Sequence, residues 1–360
     1  MAKRILLIGA GLTSAVISNV LKRSQIYNSS TIDLHIWEKA RGAGGRFSTS
    51  RSPSNPDCIA DLGAQYLTRT PSNVLSQPYF EDLIGNGLIS KFSTENIPGF
   101  LQNSVVDKES YVCTNGTASV VKHLLRDIPN ITFNKRVASI SVIDDGRIKV
   151  VAEGQNEFEI FDVIVSTIPI PQLLQLGNID SILQSIGKPD IKENLAQVSY
   201  TSRYALGLFY NEKLTIAPSE SCMNFVDGDP VVRYWTLEDE KRQLGRVNKS
   251  FDKASSAVVH TSVTFGAENI DRDAKDVQQI LLERVEKTCK SLHGVVPAFV
   301  KCHKWRYSQV SRGYEGSPGF VVLSKSPLIL AAGDGFVQSG FENCVFSGER
   351  TANYIVEALN

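Results

Sequence analysis

The residues Ile5-Leu6-Leu7-Ile8-Gly9-Ala10-Gly11-Leu12-Thr13-Ser14 constrain the fold of this chain more than any other stretch. Four consecutive aliphatic residues fit a strand buried on both faces, as in a parallel sheet covered by helices. Gly9 permits a tight turn, and Gly11 removes a side chain where a pyrophosphate must approach the backbone. A helix over roughly 12–22 then aims its free N–H groups and positive dipole end at that anion. Ser14 stands where a third glycine normally allows close helix–strand packing, and serine is small enough to be tolerated there. Near the other end, Leu328-Ile329-Leu330-Ala331-Ala332-Gly333-Asp334-Gly335-Phe336 is a second apolar strand ending in glycines. A sheet assembled from both ends of the chain is the expectation.

The second strand extends the nucleotide reading. Ile32, Leu34 and Ile36 alternate with Asp33, His35 and Trp37, and Glu38 closes the strand. A carboxylate there can accept hydrogen bonds from both hydroxyls of an adenosine ribose, and it disfavours a 2′-phosphate. The separation from the turn exceeds the usual ~20 residues, and a polar loop over 24–30 accounts for the excess. The alternative for Glu38 is a solvated charge at a strand end. In Arg41-Gly42-Ala43-Gly44-Gly45-Arg46, the glycines let the backbone run beside a second part of the same ligand, and the arginines supply fixed positive charge. Asp334 can accept from a ribityl hydroxyl near the last helix, expected over roughly 344–359; helix capping is the other reading. The three segments together point to FAD.

The pattern Glu38-x5-Gly44-Gly45-Arg46 after such a turn resembles the FAD-dependent amine oxidase superfamily. Within it, residues 57–68, 199–210, 304–310 and 333–339 are similar to segments of the renalases, in the same order and over nearly the whole length. The resemblance implies an α/β fold: a Rossmann-like FAD-binding domain of the flavin amine oxidase or p-hydroxybenzoate hydroxylase type, with a second, mixed-sheet substrate domain. It implies that Thr13, Arg46, Gln65 and Tyr66 contact FAD, and that the backbone at Val137 meets the adenine end. These join Gly9, Gly11, Ser14, Glu38, Arg41, Gly44, Gly45, Gly333 and Asp334 as the expected cofactor set. The surroundings of Cys344 do not match a covalent-flavin motif, so non-covalent FAD is expected.

Renalases are thought to oxidise the 2- and 6-dihydro isomers of NAD(P)H to β-NAD(P)+, with oxygen becoming hydrogen peroxide. The resemblance therefore implies a dinucleotide substrate and oxygen as partners. Losing a hydride from such a ring leaves an aromatic pyridinium, so no catalytic base is needed. The sequence fits that economy, with no Ser-His-Asp order, no Cys-His pair and no obvious buried lysine motif. Tyr204, His260, Trp305, Arg306 and Phe336 are candidates for the substrate face, with Trp305 the leading choice. Core packing is the competing reading for each aromatic, and His260 reads better as a satisfied core histidine than as a proton carrier. Two other functions stay in view: a flavin-dependent amine oxidase and a non-catalytic FAD-binding signalling protein.

A chain of 360 residues exceeds the usual single core. The expected FAD-binding domain is discontinuous (1–70, 111–171 and 321–360), and the expected substrate domain is 71–110 with 172–320. Within them, alternating runs over 199–210, 231–237 and 257–265 predict an antiparallel or mixed sheet, with a helix over 274–292 outside it. With 38 basic and 38 acidic residues and no basic stripe, nucleic acid is not an expected partner. No apolar run has membrane-spanning length, and oligomeric state is open. Six scattered cysteines without a CxxC pair fit free thiols in a reducing compartment. Cys302 and His303 are adjacent on an expected strand and point to opposite faces, so no metal is expected. The stretch after Lys3 and Arg4 resembles a signal peptide, but its removal would delete the glycine turn, so a cytoplasmic location is expected. Secretion follows only by family analogy. The sequons at Asn28, Asn115, Asn130 and Asn248 then carry little weight.

Overall fold

The structure, a computed structural model, describes residues 2–27, 30–95, 97–100, 108–185, 189–245 and 254–360. The sequons at Asn28 and Asn248 lie outside the described residues. The chain forms two compact units, one of Met1–Gly45, Val121–Tyr200 and Val310–Asn360, the other of Arg46–Val120 and Thr201–Gln309. These edges differ from those expected at 70, 111, 171 and 321. Residues 46–70 and 111–120 lie in the second unit, because Thr49–Arg51 pairs with Ile59–Asp61 and Leu67–Arg69 pairs with Glu109–Cys113. Residues 172–200 lie in the first, because Leu173, Ile182 and Leu195 bury with Val137, Ile140 and Ile329.

The first unit is Rossmann-like. Strand β1 (Lys3–Ile8) lies inside a six-stranded sheet with spatial order Phe320–Lys325, Leu328–Ala332, Val163–Ser166, β1, β2 (Ile32–Trp37) and Asn130–Thr132. All neighbours are parallel except the Phe320–Lys325 edge strand. Ile5, Leu6 and Leu7 are wholly buried, as the unbroken aliphatic run requires. Helix α1 (Leu12–Arg23) follows the glycine turn and packs against the C-terminal helix Phe341–Leu359, which begins earlier than its expected start at 344. Gly348 permits that approach, since a Cβ there would lie 2.6 Å from Val16 Cγ1. Val137–Val142, Ile148–Ala152 and Phe158–Phe161 form a separate antiparallel sheet whose inner side joins the same core.

The second unit is built on a five-stranded antiparallel sheet with order Met223–Phe225, Val232–Leu237, Ser255–Thr261, Arg203–Tyr210 and Phe299–Trp305. Strand periodicity gives it two apolar faces. Tyr204, Leu206 and Leu208 pack with Val277, Leu281 and Val285 of the Ala274–Thr288 helix. Ala205, Phe209 and Val258 pack on Cys58, Ala60 and Leu62 from the other side.

Two of the expected runs divide. The chain leaves the sheet after Thr261 because Ser262 caps the Val263–Asn269 helix, its hydroxyl accepting from the Phe265 N–H at 3.1 Å. The 199–210 run splits at Thr201, with Ser199–Tyr200 pairing to Val310–Arg312 in the first unit. Among the described residues, no helix is long and apolar enough to cross a membrane.

Candidate cofactor and substrate sites

The glycine turn of the first unit is built for a ligand close to the backbone. Gly9 adopts φ +102°, and a Cβ there would lie 3.1 Å from Thr167 Oγ1. A Cβ at Gly11 would meet nothing within 4 Å, so the space beside the helix start is open. Gly11 caps α1 without a side chain, and no acidic residue stands in the first turn. The leading amides of α1 thus present partial positive charge with no internal competitor. The Gly44 N–H donates to the Ala10 carbonyl at 2.9 Å, which draws the glycine-rich loop onto the turn. Gly45, at φ +56°, brings its Cβ direction to within 3.5 Å of Gly11 Cα.

Glu38 is a structural part of this cradle and is nearly buried. Its two carboxylate oxygens accept the Ala10 N–H at 2.8 Å and the Ala40 N–H at 2.7 Å. A carboxylate offers about four acceptor positions, so both oxygens retain capacity toward ribose hydroxyls. The solvated-charge alternative does not describe this residue. Ser14 is more than a tolerated substitute for glycine. Thr167 Oγ1 donates to the Ile8 carbonyl at 3.1 Å, so the Ser14 hydroxyl, 2.7 Å away, donates to Thr167. The hydroxyl proton of Ser14 is spent on the sheet, and the residue is wholly buried.

Gly333 adopts φ +121° after the Leu328–Ala332 strand, and its N–H donates to Ser347 Oγ at 2.8 Å. Asp334 accepts from Ser339 Oγ at 2.6 Å and starts a short turn ahead of the C-terminal helix, whose own cap is Gly340. Val137 opens the three-stranded sheet with its side chain in the core near Trp37 and Ile8, leaving only its backbone for recognition. Arg41 is exposed. The cradle fits the ADP half of FAD in its open backbone approach, helix start without a side-chain cap, and hydrogen-bonded carboxylate.

Arg46, Gln65 and Tyr66 belong to the second unit. Arg46 donates to the Ser308 carbonyl at 3.3 Å, and its own carbonyl accepts the Ala64 N–H at 2.9 Å. Gln65 is clamped: its amide nitrogen donates to the Asp61 carbonyl and to the Gly63 carbonyl at 3.1 Å, and its oxygen accepts from Lys241 Nζ at 3.2 Å. His260 Nε2 lies 3.3 Å from the Gln65 amide, and its ring meets Tyr234 edge-on at 5.9 Å. Burial, with the nearby charges of Arg203 and Lys241, pushes the imidazole down to about 3. Burial raises the phenols of Tyr66 and Tyr234 above their ordinary range. Tyr66 packs edge-on against Phe92, with Phe100 at 5.5 Å.

Lys241 is buried although the sequence offered no obvious buried lysine motif. Asp61, Glu238, Lys241 and Arg242 are each at most 1 % exposed. Glu238 accepts from Lys241 Nζ and from Arg242 at 2.5 Å each, and Arg242 also reaches Asp61 at 3.2 Å. Asp61 further accepts from the Thr117 N–H at 2.9 Å and from Thr49 Oγ1 at 2.6 Å. Burial of a charged run such as 238–242 leaves no local mark in the sequence. Only the i,i+3 and i,i+4 spacing of Glu238 to Lys241 and Arg242 hinted at pairing.

The substrate-face candidates divide. His260 and the Gln65–Tyr66 pair share the sheet side that carries Ala205, and Trp305 lies on that side with its indole N–H on the Leu62 carbonyl at 2.8 Å. Tyr204 does not join them. It points to the opposite face, wholly buried, with its hydroxyl on the Asn269 carbonyl at 2.8 Å. Phe336 is a core residue of the first unit, packed on Tyr314. Arg306 is exposed and paired with Asp271 at 2.6 Å. Strand parity explains Tyr204, one residue out of phase with Ala205, and an apolar core explains Phe336.

Comparison with known proteins agrees with this geometry. Residues 93–356 match the model of the flavin containing amine oxidoreductases, and residues 7–83 match an NAD(P)-binding Rossmann-like domain. The chain is 32 % identical to renalase of Mus musculus over 349 residues, 96 % of each protein. Among solved structures, it is similar to a "Putative protoporphyrinogen oxidase" of Exiguobacterium sp. 255-15 (TM-score 0.68, 14 % identity). It is also similar to putrescine oxidase bound to putrescine (TM-score 0.63, 10 % identity). Each of these matches covers 99 % of both chains. The two structural likenesses speak for the fold, and the first relative speaks for more than the fold. This chain belongs to the renalase family, FAD-dependent oxidoreductases within the flavin amine oxidase superfamily.

Proposed function

We propose that the chain oxidises the 2- and 6-dihydro isomers of NAD(P)H to β-NAD(P)+, with dioxygen taking the two electrons and one proton of the hydride, and one further proton from solvent, to become hydrogen peroxide. The observation that carries this reading is the ionisation of the groups around Gln65. His260 is neutral at physiological pH but, pushed down to about 3, is a very weak base. The Tyr66 and Tyr234 phenols stay protonated, and Lys241 is held in an ion pair with Glu238. Neither the imidazole nor the phenols are tuned to remove a proton near pH 7. A dihydropyridine needs none removed, because hydride loss alone yields the aromatic pyridinium. An amine arrives as an ammonium ion and must first shed a proton, which this set is poorly suited to receive.

FAD, when bound, supplies a two-electron acceptor that dioxygen can reoxidise. The protein's part is to orient the donor and exclude water. The three hydrogen bonds on Gln65 fix the plane of its amide, and Tyr66 is held by Phe92 and Phe100. The six cysteines are free thiols, which fits a reducing, cytoplasmic setting.

The test is anaerobic rapid mixing of the flavoprotein with 6-dihydroNAD and, separately, with simple monoamines. Fast flavin bleaching by the dihydro isomer alone is expected. Bleaching by amines alone would refute the reading. Acid precipitation of the same sample should release yellow flavin into the supernatant, as non-covalent attachment requires.

A further inference from the structure

Arg203 opens the Arg203–Tyr210 strand and is half-buried, yet among the described residues it meets no carboxylate. Its guanidinium donates to the Thr261 carbonyl at 2.5 Å. Across the Ser255–Thr261 strand, the register slips between Val232 and Tyr234, so Arg233 is the extra residue of a bulge. Arg233 donates to the Val226 carbonyl and to Asp227 at 2.9 Å, and lies 6.0 Å over the Phe225 ring. Asp227 is 78 % exposed, so that pair is a weak claim on the guanidinium. Tyr234 and His260 stand beside the two arginines, and the Tyr234 hydroxyl is buried with no partner among the described residues.

A half-buried cation without a counter-ion is costly unless something anionic arrives to pair with it. We propose that Arg203 and Arg233 form an anion site in the second unit that takes a phosphate group of the dinucleotide substrate. Two planar guanidiniums present the forked donors that phosphate oxygens match. Burial and the neighbouring Arg233 charge both depress Arg203 from its ordinary value, as expected for like charges gathered without an anion. Arg203 likewise helps hold His260 neutral. Naming the anion as a dinucleotide phosphate rests on the activity proposed above, whereas the anion site does not.

The test uses the FAD-loaded enzyme and calorimetric titration with inorganic pyrophosphate and with β-NAD+. Wild-type affinity for both should fall as salt rises. Arg203→Gln should weaken both by about tenfold, Arg203→Lys should recover part of the loss, and Arg233→Gln should act in the same direction. In turnover, Arg203→Gln should lower the ratio of kcat/KM for 6-dihydroNAD to that for the uncharged 6-dihydronicotinamide riboside by a similar factor. Wild-type binding in Arg203→Gln, or an equal loss with dinucleotide and riboside, would overturn the site. If dihydro isomers are not oxidised by the wild type but pyrophosphate binding still depends on Arg203, the anion site stands and the proposed activity falls.

Discussion

His260 couples the chemistry of the second unit to its stability. Its imidazole is pushed down to about 3 by burial and by Arg203 and Lys241, whereas the unfolded ring titrates near 6.5. The folded state therefore binds fewer protons than the unfolded state between those values, and stability falls as pH drops through that window. Because the ring is partly exposed, the loss should be on the order of 1 kcal/mol by pH 5. Urea midpoints at pH 7 and pH 5 should show it, and His260→Gln should flatten the difference. Asp61 acts in a separate window. Burial alone would raise its carboxyl, but Arg242 and Lys241 hold it below 3.8, so its contribution is lost only in stronger acid. At this scale the sequence was partly legible. Glu38 and the glycines declare themselves through position after a strand. Arg203 and Lys241 do not, because what distinguishes them is a missing or buried counter-charge supplied by distant strands.

At the scale of elements, the tightest constraint is the crossing of α1 and the C-terminal helix. A Cβ at Gly348 would lie 2.6 Å from Val16 Cγ1 and 2.7 Å from Val16 Cβ. Gly348→Ala should cost about 1–3 kcal/mol through overpacking, despite alanine's better helix propensity. Val16→Ala in the same chain should restore part of it, and thermal unfolding of the single and double variants would measure both. A helix periodicity is readable in both segments, yet nothing local says that they meet. Strands with unbroken aliphatic runs were legible for the same reason that they are buried. The boundary at Ser262 was not, because alternation continues past Thr261 while a cap hydrogen bond ends the strand.

The whole molecule is interleaved, with the first unit drawn from three segments of chain and the second from two. The discontinuity was legible in the paired glycine turns, but its edges were not, since segments such as 46–70 take their place from pairing partners far along the chain. Gly9, Gly11 and Glu38 come from one end of the chain, Gly333 and Asp334 from the other. A chain ended before Leu328 lacks the Leu328–Ala332 strand, leaves Phe320–Lys325 without its partner in the six-stranded sheet, and lacks the helix packed on α1. Such a chain should purify without flavin absorbance and unfold without a cooperative transition, whereas bound flavin should raise the full chain's apparent stability by about 2.7 kcal/mol at a hundredfold excess over Kd.

The position of Val163–Ser166 in that sheet also sets a timetable. It bridges β1 on one side and Leu328–Ala332 on the other. On a ribosome adding ~5–20 residues/s, roughly 10–30 s separate the synthesis of its two neighbours' contacts. For that interval one edge of the strand, Val163-Ile164-Val165-Ser166, three of its four residues apolar, waits without its partner. Nascent chains stalled between residues 170 and 320 are therefore the ones to examine for chaperone capture.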